Sequence, residues 1–212
     1  MVELDVVSTA DIRHSIRQAR LSAVIFAVLF AAVAALVAYG ATDAVDHHVS
    51  KLAQEAATHS LDLAASVFTI LGQSEVTAPI AVILAFVWWR RRGGRGLVPL
   101  LLFVGVALEI ALKHVVPHLS PPHELSRTVP LLPFLKSSSP YSFPSGHMLR
   151  TTFLAGLMLN HWVFWPVIVL MGITRVYLNE HWLSDVVGGW LLGLVLAGVA
   201  AAIYGGPAPD DD

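Results

Sequence analysis

Long apolar runs alternate along this chain with short polar segments. The first run, residues 21–39, carries no charge and is long enough to cross the hydrocarbon core of a bilayer as a helix. Five more segments have the same apolar character, although polar residues at 72–75 interrupt the second one. The pattern predicts six transmembrane helices: residues 21–39, the final stretch of the second run at 76–89, 97–112, about 147–162, a fifth that follows a 160–166 connection and ends near 178, and about 183–204.

The polar segment after the first span, residues 40–59, also has a helical pattern. Val45, Val49, Leu52 and Ala56 recur at a spacing that places their side chains on one helix face. This spacing predicts an amphipathic helix that lies along the membrane surface. The predicted fold class is therefore all-α: an integral membrane bundle of six transmembrane helices with an outer-face amphipathic helix, forming a single membrane domain.

Composition agrees with a membrane protein. The chain has 212 residues, of which 56% are hydrophobic and only 13% are charged, and this is too apolar for a soluble domain of the same size. A net charge of -2 excludes a strongly basic nucleic-acid-binding protein, and the absence of cysteine excludes disulfides and thiol nucleophiles. The first apolar run is too long for the core of a signal peptide, so we expect it to remain as a span.

Arginines indicate how the spans are oriented. Residues 90–95 contain four arginines, and a short arginine-rich loop between spans is typical of the cytoplasmic side. Residues 1–20 and the acidic tail, residues 205–212, are then also cytoplasmic, on either side of the six-span core at residues 21–204. The loop at residues 114–142, rich in proline and serine, then faces the periplasm or the cell exterior.

A helix is predicted to begin at residues 144–147, Pro-Ser-Gly-His, where this loop gives way to an apolar run. The Ser145 hydroxyl can cap the helix, and Gly146 lets the backbone approach a ligand closely. The free N–H groups of a first helical turn attract anions, phosphate above all. His147 adds a group that can transfer protons near neutral pH.

A second group of polar residues follows near the start of the sixth span. Arg175, His181 and Asp185 are separated by five and three residues, so Asp185 lies one helical turn from His181. A carboxylate beside an imidazole fixes its tautomer and leaves the other nitrogen free as a nucleophile. Arg175 offers a planar fork for phosphate oxygens, and Lys113, at the outer end of the third span, adds a point charge.

These three elements together resemble the signature motifs of the type 2 phosphatidic acid phosphatase superfamily, membrane enzymes that share their site plan with vanadium haloperoxidases. The resemblance implies that His181 is a nucleophile that forms a phosphohistidine, that Asp185 orients it, and that His147 protonates the departing lipid oxygen. It also implies a reaction without a cofactor or a metal ion, on a lipid phosphate substrate. The residues expected to hold the phosphoryl oxygens are Lys113, Ser145, Gly146 and Arg175.

One residue departs from the family pattern. The first motif of the family has an arginine followed by proline seven residues after its lysine, whereas this chain has Ser120-Pro121. Either another cation substitutes or the protein is a weakened member. We expect Arg150 to substitute, because it lies about one turn from His147 on the predicted helix. The alternative is that Arg150 only forms a salt bridge to Glu109.

Two other functions fit parts of the sequence. A small ion or metal transporter could use the same ionisable residues, although these map to span ends rather than to mid-span. A catalytically weakened lipid-binding relative is possible because of Ser120. His114, His118 and the other loop histidines match no compact zinc motif, and we expect them to be solvated. The choice among phosphatidic acid, phosphatidylglycerol phosphate and polyprenyl diphosphate stays open, as does the oligomeric state.

Overall fold

The computed structural model describes residues 9–131 and 139–205. Residues 1–8 of the predicted amino-terminal segment and residues 206–212 of the predicted acidic tail lie outside these ranges. Within them, regular structure is helical except for one isolated β-bridge between Leu119 and Tyr141. The helices are α1 (Thr9–Ala38), α2 (Asp43–Glu55), α3 (His59–Thr69), α4 (Ser74–Arg92), α5 (Leu101–Val115), α6 (Gly146–Met158), α7 (His161–Tyr177) and α8 (Leu183–Tyr204).

Three helical segments of the described chain are long and apolar enough to cross a membrane. They are Arg13–Ala38, His59–Val115, which contains α3 to α5, and Leu183–Tyr204. The apolar helix α7 is shorter, and α6 has 13 residues. At a rise of about 1.5 Å per residue, α6 is about 20 Å long, less than the roughly 30 Å core of a bilayer. The membrane character is clear, whereas the count of six spans stays a prediction.

Two predicted boundaries are wrong. The connection expected at residues 160–166 does not exist, because α7 begins at His161 and includes Pro166. The Asn160 side chain caps this helix by accepting a hydrogen bond from the Val163 N–H at 3.2 Å, which starts the helix before the proline. The third span also begins later than residue 97: Gly93–Leu100 forms 3₁₀ turns, in a segment that contains Pro99 and several glycines.

Helix α8 forms the centre of the bundle and packs closely against α6. A Cβ atom at Gly189 would overlap the carbonyl oxygen of Ser145, and one at Gly193 would lie 2.6 Å from Cβ of Thr152. Gly188 leaves similar room for the buried ring of Phe143. The face of α8 that carries these three glycines therefore packs its first turns against the start of α6, where the Pro-Ser-Gly-His motif lies.

Helix α2 confirms the predicted helix after the first span, and side chains of its polar face make buried hydrogen bonds to other segments of the protein. Asp46 is buried and accepts hydrogen bonds from the backbone N–H and the hydroxyl of Ser184, at 2.8 and 2.7 Å. The Ser50 hydroxyl donates to the Asn179 side chain at 3.0 Å. Val45 and Leu52 remain exposed on the other side, as a helix lying on a membrane surface requires. Helix α2 thus anchors the start of α8.

Candidate active site

The predicted site residues lie where four helix ends meet. Lys113 is in the last turn of α5 and Arg175 in the last turn of α7, whereas Gly146 and Asp185 lie in the first turns of α6 and α8. The fields of Arg175, Arg150, His181 and Lys113 all act on the buried imidazole of His147. The structure therefore brings residues from distant parts of the sequence to one end of the bundle.

His181 and Asp185 form the contact that their spacing predicts. His181 lies just before α8, and its Nδ1 is 3.3 Å from Oδ2 of Asp185. The same oxygen accepts a hydrogen bond from the Trp182 N–H at 2.9 Å. Because a carboxylate can only accept, it favours the tautomer with a proton on Nδ1 of His181. The Nε2 lone pair is then available for nucleophilic attack.

Asp185 has a second histidine partner that the sequence analysis missed. Nδ1 of His118 lies 2.9 Å from Oδ1 of Asp185, so each carboxylate oxygen contacts one imidazole. The expectation that His118 is solvated in the outer loop is wrong, since its side chain is only 11% exposed. A signal was present, because His118 lies two residues before Ser120 in the segment that corresponds to the first family motif.

The start of α6 leaves polar atoms available for a ligand. Ser145 is the residue before the first turn, but its hydroxyl does not cap the helix as predicted. Instead, the Ser145 N–H donates to the backbone carbonyl of Asp185 at 3.0 Å. In the described part of the chain, Oγ of Ser145 and Nε2 of His147 are buried without a hydrogen-bond partner. Such groups are costly unless a partner reaches them.

Arg175 is held from two sides and keeps one donor unused. Its Nη1 donates to the hydroxyl of Thr69 at 2.9 Å, and its Nη2 lies 3.6 Å from Oε2 of Glu180. Its Nε is buried and has no partner among the described residues. Ser126 and Thr128 each donate to Glu180 at 2.6 Å, which fixes this carboxylate beside the guanidinium.

Lys113 and Arg150 share one carboxylate. Glu109 accepts from Nζ of Lys113 at 2.9 Å and from Nη1 of Arg150 at 3.0 Å. Arg150 also donates from Nε to the carbonyl of Gly72 at 3.1 Å. A Cβ atom at Gly146 would overlap the Glu109 carboxylate, so this anion lies against the start of α6. The salt bridge considered from the sequence is present, and a contact between Arg150 and substrate stays a prediction.

Local fields tune the two histidines that contact Asp185 in opposite directions. Burial lowers the pKa of His181, and the cations Arg175 and Lys113 act in the same direction, so the pKa stays below its ordinary value despite Asp185. Burial also tends to lower the pKa of His118, but the hydrogen bond and charge of Asp185 outweigh it and raise the pKa. The lowered pKa favours the neutral form of His181 near pH 7, the form in which an imidazole can act as a nucleophile.

No group of three or more histidine, cysteine or acidic residues in the described ranges is arranged to hold a metal ion. The positive charge near His147 comes from Lys113, Arg150 and Arg175 instead. These side chains carry the charge that binding of a phosphoryl group requires.

Comparison with known proteins identifies the family. The family model described as the PAP2 superfamily matches residues 95–206. The chain belongs to the PAP2 superfamily. The match includes Lys113, Ser145, Gly146, His147, Arg175, His181 and Asp185.

Two characterised relatives are phosphatases by name. The chain is 30% identical to phosphatidylglycerophosphatase B of Bacillus subtilis, over 77% of this chain and 85% of the relative. It is 31% identical to an undecaprenyl-diphosphatase of Sulfolobus acidocaldarius, over 58% of this chain and 60% of that protein. The crystal structure of the transmembrane PAP2-type phosphatidylglycerolphosphate phosphatase from Bacillus subtilis superposes with a TM-score of 0.70 and 26% identity, covering 84% of this chain and 94% of that chain.

These similarities confirm the predicted family, the all-helical membrane fold and the class of enzyme, a phosphatase of membrane lipid phosphates. They also decide against the transporter considered from the sequence. The role of each site residue stays a prediction, as does the side of the membrane that the site faces.

Proposed function

We propose that this protein hydrolyses a lipid phosphate or diphosphate through a phosphohistidine on His181, without a metal ion. The observation that carries the proposal is the set of buried donors and acceptors around the His181–Asp185 pair. Oγ of Ser145, Nε2 of His147 and Nε of Arg175 all lack a partner in the described structure. The oxygens of a phosphoryl group would provide partners for all three.

In the first step, Nε2 of His181 attacks phosphorus and the bond to the lipid oxygen breaks. The electron pair goes to that oxygen, which takes a proton from His147 and leaves as the lipid alcohol or, from a diphosphate, as the lipid monophosphate. Lys113, Arg150 and Arg175 stabilise the charge on the equatorial oxygens, together with the Gly146 N–H and the Ser145 hydroxyl. Asp185 stabilises the positive charge that develops on the imidazole.

In the second step, water attacks the phosphohistidine. His147, which is now neutral, accepts a proton from this water as the phosphorus–nitrogen bond breaks. Inorganic phosphate leaves, and His181 and His147 return to their initial states. The same imidazole thus acts as the acid in one step and as the base in the next.

We further propose that the site faces the periplasm or the cell exterior, with both termini in the cytoplasm. The arginines at residues 90–92 end α4, whereas Gly72, just before α4, packs against His147. The Arg92 guanidinium also lies over the ring of Tyr204, at the end of α8 that is far from Asp185. The arginine-rich end of the bundle is therefore opposite the site, and arginine-rich loops are typical of the cytoplasmic side.

The substrate class follows from the relatives. In a panel that also contains undecaprenyl diphosphate and phosphatidic acid, we expect phosphatidylglycerol phosphate to be hydrolysed fastest. The reason is that the relative named for phosphatidylglycerophosphate aligns over most of both chains. The test is phosphate release by the purified protein in the presence of EDTA. His181→Gln should reduce release to background, whereas His123→Gln should not, because His123 is an exposed loop residue.

Two results would contradict the mechanism. One is release that disappears with EDTA and returns with Mg²⁺ or Zn²⁺, because the proposed site needs no metal ion. The other is failure to trap an acid-labile phosphoryl group on the wild-type protein from ³²P-labelled substrate under conditions of rapid turnover.

The orientation has a separate test, which uses the absence of native cysteine. Cysteine introduced at Glu124 should react with a membrane-impermeant thiol reagent in intact cells, and cysteine at Gly94 only after lysis. Both positions are exposed. The reverse pattern would show that the topology is inverted.

A further inference from the structure

The carboxylate of Asp185 is fully buried and is shared between two imidazoles. Oδ2 contacts Nδ1 of His181 at 3.3 Å, whereas Oδ1 contacts Nδ1 of His118 at the shorter distance of 2.9 Å. The terminal torsion of an aspartate has broad preferences, so contacts rather than intrinsic geometry fix the orientation of the carboxylate. Without His118, Oδ1 would be left buried without this partner, and the Trp182 N–H, which donates to Oδ2 at 2.9 Å, would have to hold the carboxylate against turning away from His181.

The backbone around His118 is held firmly beside the site. The carbonyl of His118 accepts hydrogen bonds from the N–H of Ser142 at 2.9 Å and from its hydroxyl at 3.3 Å. The next carbonyl, of Leu119, accepts from the indole N–H of Trp182 at 2.7 Å. These bonds attach the loop both to the segment before α6 and to the residue after His181. His118 is thus held in place beside Asp185 by the backbone contacts of its own loop.

We propose that His118 is a positioning residue that fixes Asp185 and, through it, the tautomer and orientation of the nucleophile His181. The inference rests on the proposed phosphohistidine mechanism. His118 makes its hydrogen bond to Asp185, and its effect on the reaction passes through that carboxylate. Because His118 holds the Asp185 carboxylate facing His181, Nδ1 of His181 keeps its proton and Nε2 keeps its lone pair.

The charges around His118 support this arrangement. Asp185 faces it from α8, Asp46 and Asp43 act on it from α2, and its raised pKa reflects their combined field against the cost of burial. His47 of α2 and His118 both lie beside the ring of Trp182, and His181 shares Asp185. A fraction of His118 is therefore cationic near neutral pH, and this charge favours the ionised, acceptor form of Asp185. The loop that has Ser120 in place of the family arginine still brings a cationic group to the site.

The experiment compares two substitutions at His118. His118→Ala removes the donor, whereas His118→Asn keeps a neutral N–H donor near the position of Nδ1. We expect His118→Ala to lower kcat by about 10–100-fold, the usual loss when a supporting partner is removed, with KM changed by less than about threefold. His118→Asn should recover most of kcat, and it should remove from the pH profile the limb that titrates with His118. His123→Ala, in the same loop but exposed, serves as the matched control and should behave as the wild type.

A readout that needs no activity separates this inference from the proposed function. In protein labelled with ¹⁵N-histidine, the shifts of the His181 ring nitrogens report its tautomer, and His181→Gln assigns the signals. We expect the Nδ1–H tautomer in the wild type and in His118→Asn, and a mixture of tautomers in His118→Ala.

The same tautomer in all three proteins would overturn the positioning role, whether or not the wild type releases phosphate. Equal loss of kcat in the alanine and asparagine variants, with unchanged melting temperatures, would also overturn it. Absence of phosphate release from the wild type, with the tautomers as expected, would instead refute the proposed function and leave the positioning role supported.

Discussion

A single substitution cannot separate the observed role of Arg150 from the role we propose for it. The structure pairs it with Glu109 at 3.0 Å in a buried site, and we also expect it to contact the phosphoryl group in place of the arginine absent at Ser120. Arg150→Met removes both interactions. Removing one partner of a buried ion pair costs about 3–5 kcal/mol in stability when the other charge is left unpaired, and the cost is smaller here because Glu109 keeps Lys113 at 2.9 Å. Loss of one transition-state donor costs about 10²–10³-fold in kcat, equivalent to about 2.7–4 kcal/mol.

Adding Glu109→Gln to Arg150→Met separates the two roles. In Arg150→Met, Glu109 keeps Lys113 as its remaining partner, whereas the double variant removes the Glu109 charge as well, so we expect part of the lost stability to return. The unpaired carbonyl of Gly72, which accepts from Arg150 at 3.1 Å, would still cost about 1–3 kcal/mol. Because Lys113 keeps its charge and gains freedom from Glu109, any kcat deficit that remains belongs to Arg150 itself.

The assay combines thermal unfolding in detergent with steady-state hydrolysis of phosphatidylglycerol phosphate. We expect the double variant to melt at a higher temperature than Arg150→Met while kcat stays reduced by about 10²–10³-fold. Near-normal turnover of the double variant would refute the reasoning, because it would show that Arg150 only neutralises Glu109. Glu109→Gln alone is the matched control, since it changes the carboxylate and leaves both cations in place.

Four further predictions follow from the site. Vanadate should inhibit at or below millimolar concentration, since a trigonal-bipyramidal vanadate on Nε2 of His181 resembles the transferring phosphoryl group, and no inhibition would count against the phosphohistidine route. The lowered pKa of His181 keeps the nucleophile neutral to below pH 6.5, so on the acid side kcat/KM should begin to fall only below that value; an acid-side fall that begins above pH 7 would contradict this. Gly146→Ala should disrupt the Glu109 ion pairs and reduce kcat, whereas Gly94→Ala, with open space around it, should not; equal activity of the two variants would contradict the packing argument. Ser120→Arg should restore part of kcat in an Arg150→Ala background. Arg150→Lys should recover little, because an ammonium group lacks the planar fork of donors that a guanidinium offers to phosphate. Full recovery by Arg150→Lys and none by Ser120→Arg would argue against Arg150 as a phosphate ligand.

The sequence predicted the parts of the site that depend on short spacing. His181 and Asp185 are four residues apart, and a helix start between them suffices to bring them into contact. The motif at Ser145 also fell at a true helix start, since local composition changes there from loop to apolar run. The predicted cap by its hydroxyl is wrong: Oγ of Ser145 has no partner among the described residues. The contact that Ser145 does make, from its backbone N–H to the carbonyl of Asp185, joins two helices, and no local pattern encodes it.

The contacts that were missed join residues far apart in the chain. His118 lies 67 residues from Asp185, and the Thr69 hydroxyl that receives Arg175 lies 106 residues from it. Both partners lie in segments whose composition indicates only a solvated loop or an apolar helix. The helix boundaries near Pro166 and Pro99 were missed although their causes are local. The Asn160 side chain caps α7 before its proline, and the glycines and Pro99 keep residues 93–100 in 3₁₀ turns before α5.

The balance of positive and negative side chains in the site determines what changes when Ser120 replaces the arginine of the family motif. The cations Lys113, Arg150 and Arg175 are matched by the carboxylates Glu109, Glu180 and Asp185, each in contact with a cation or an imidazole of the site. This balance keeps the buried charges stable before substrate binds. It also means that a doubly charged phosphate gains attraction only if Glu109 gives up its hold on Lys113 and Arg150 or if a histidine is protonated. An arginine at position 120 would have supplied that charge outright. Without it, we expect the exchange of Glu109 for a phosphoryl oxygen to free Lys113 and Arg150 for that attraction, so the effect of Ser120 should appear in substrate affinity as well as in kcat.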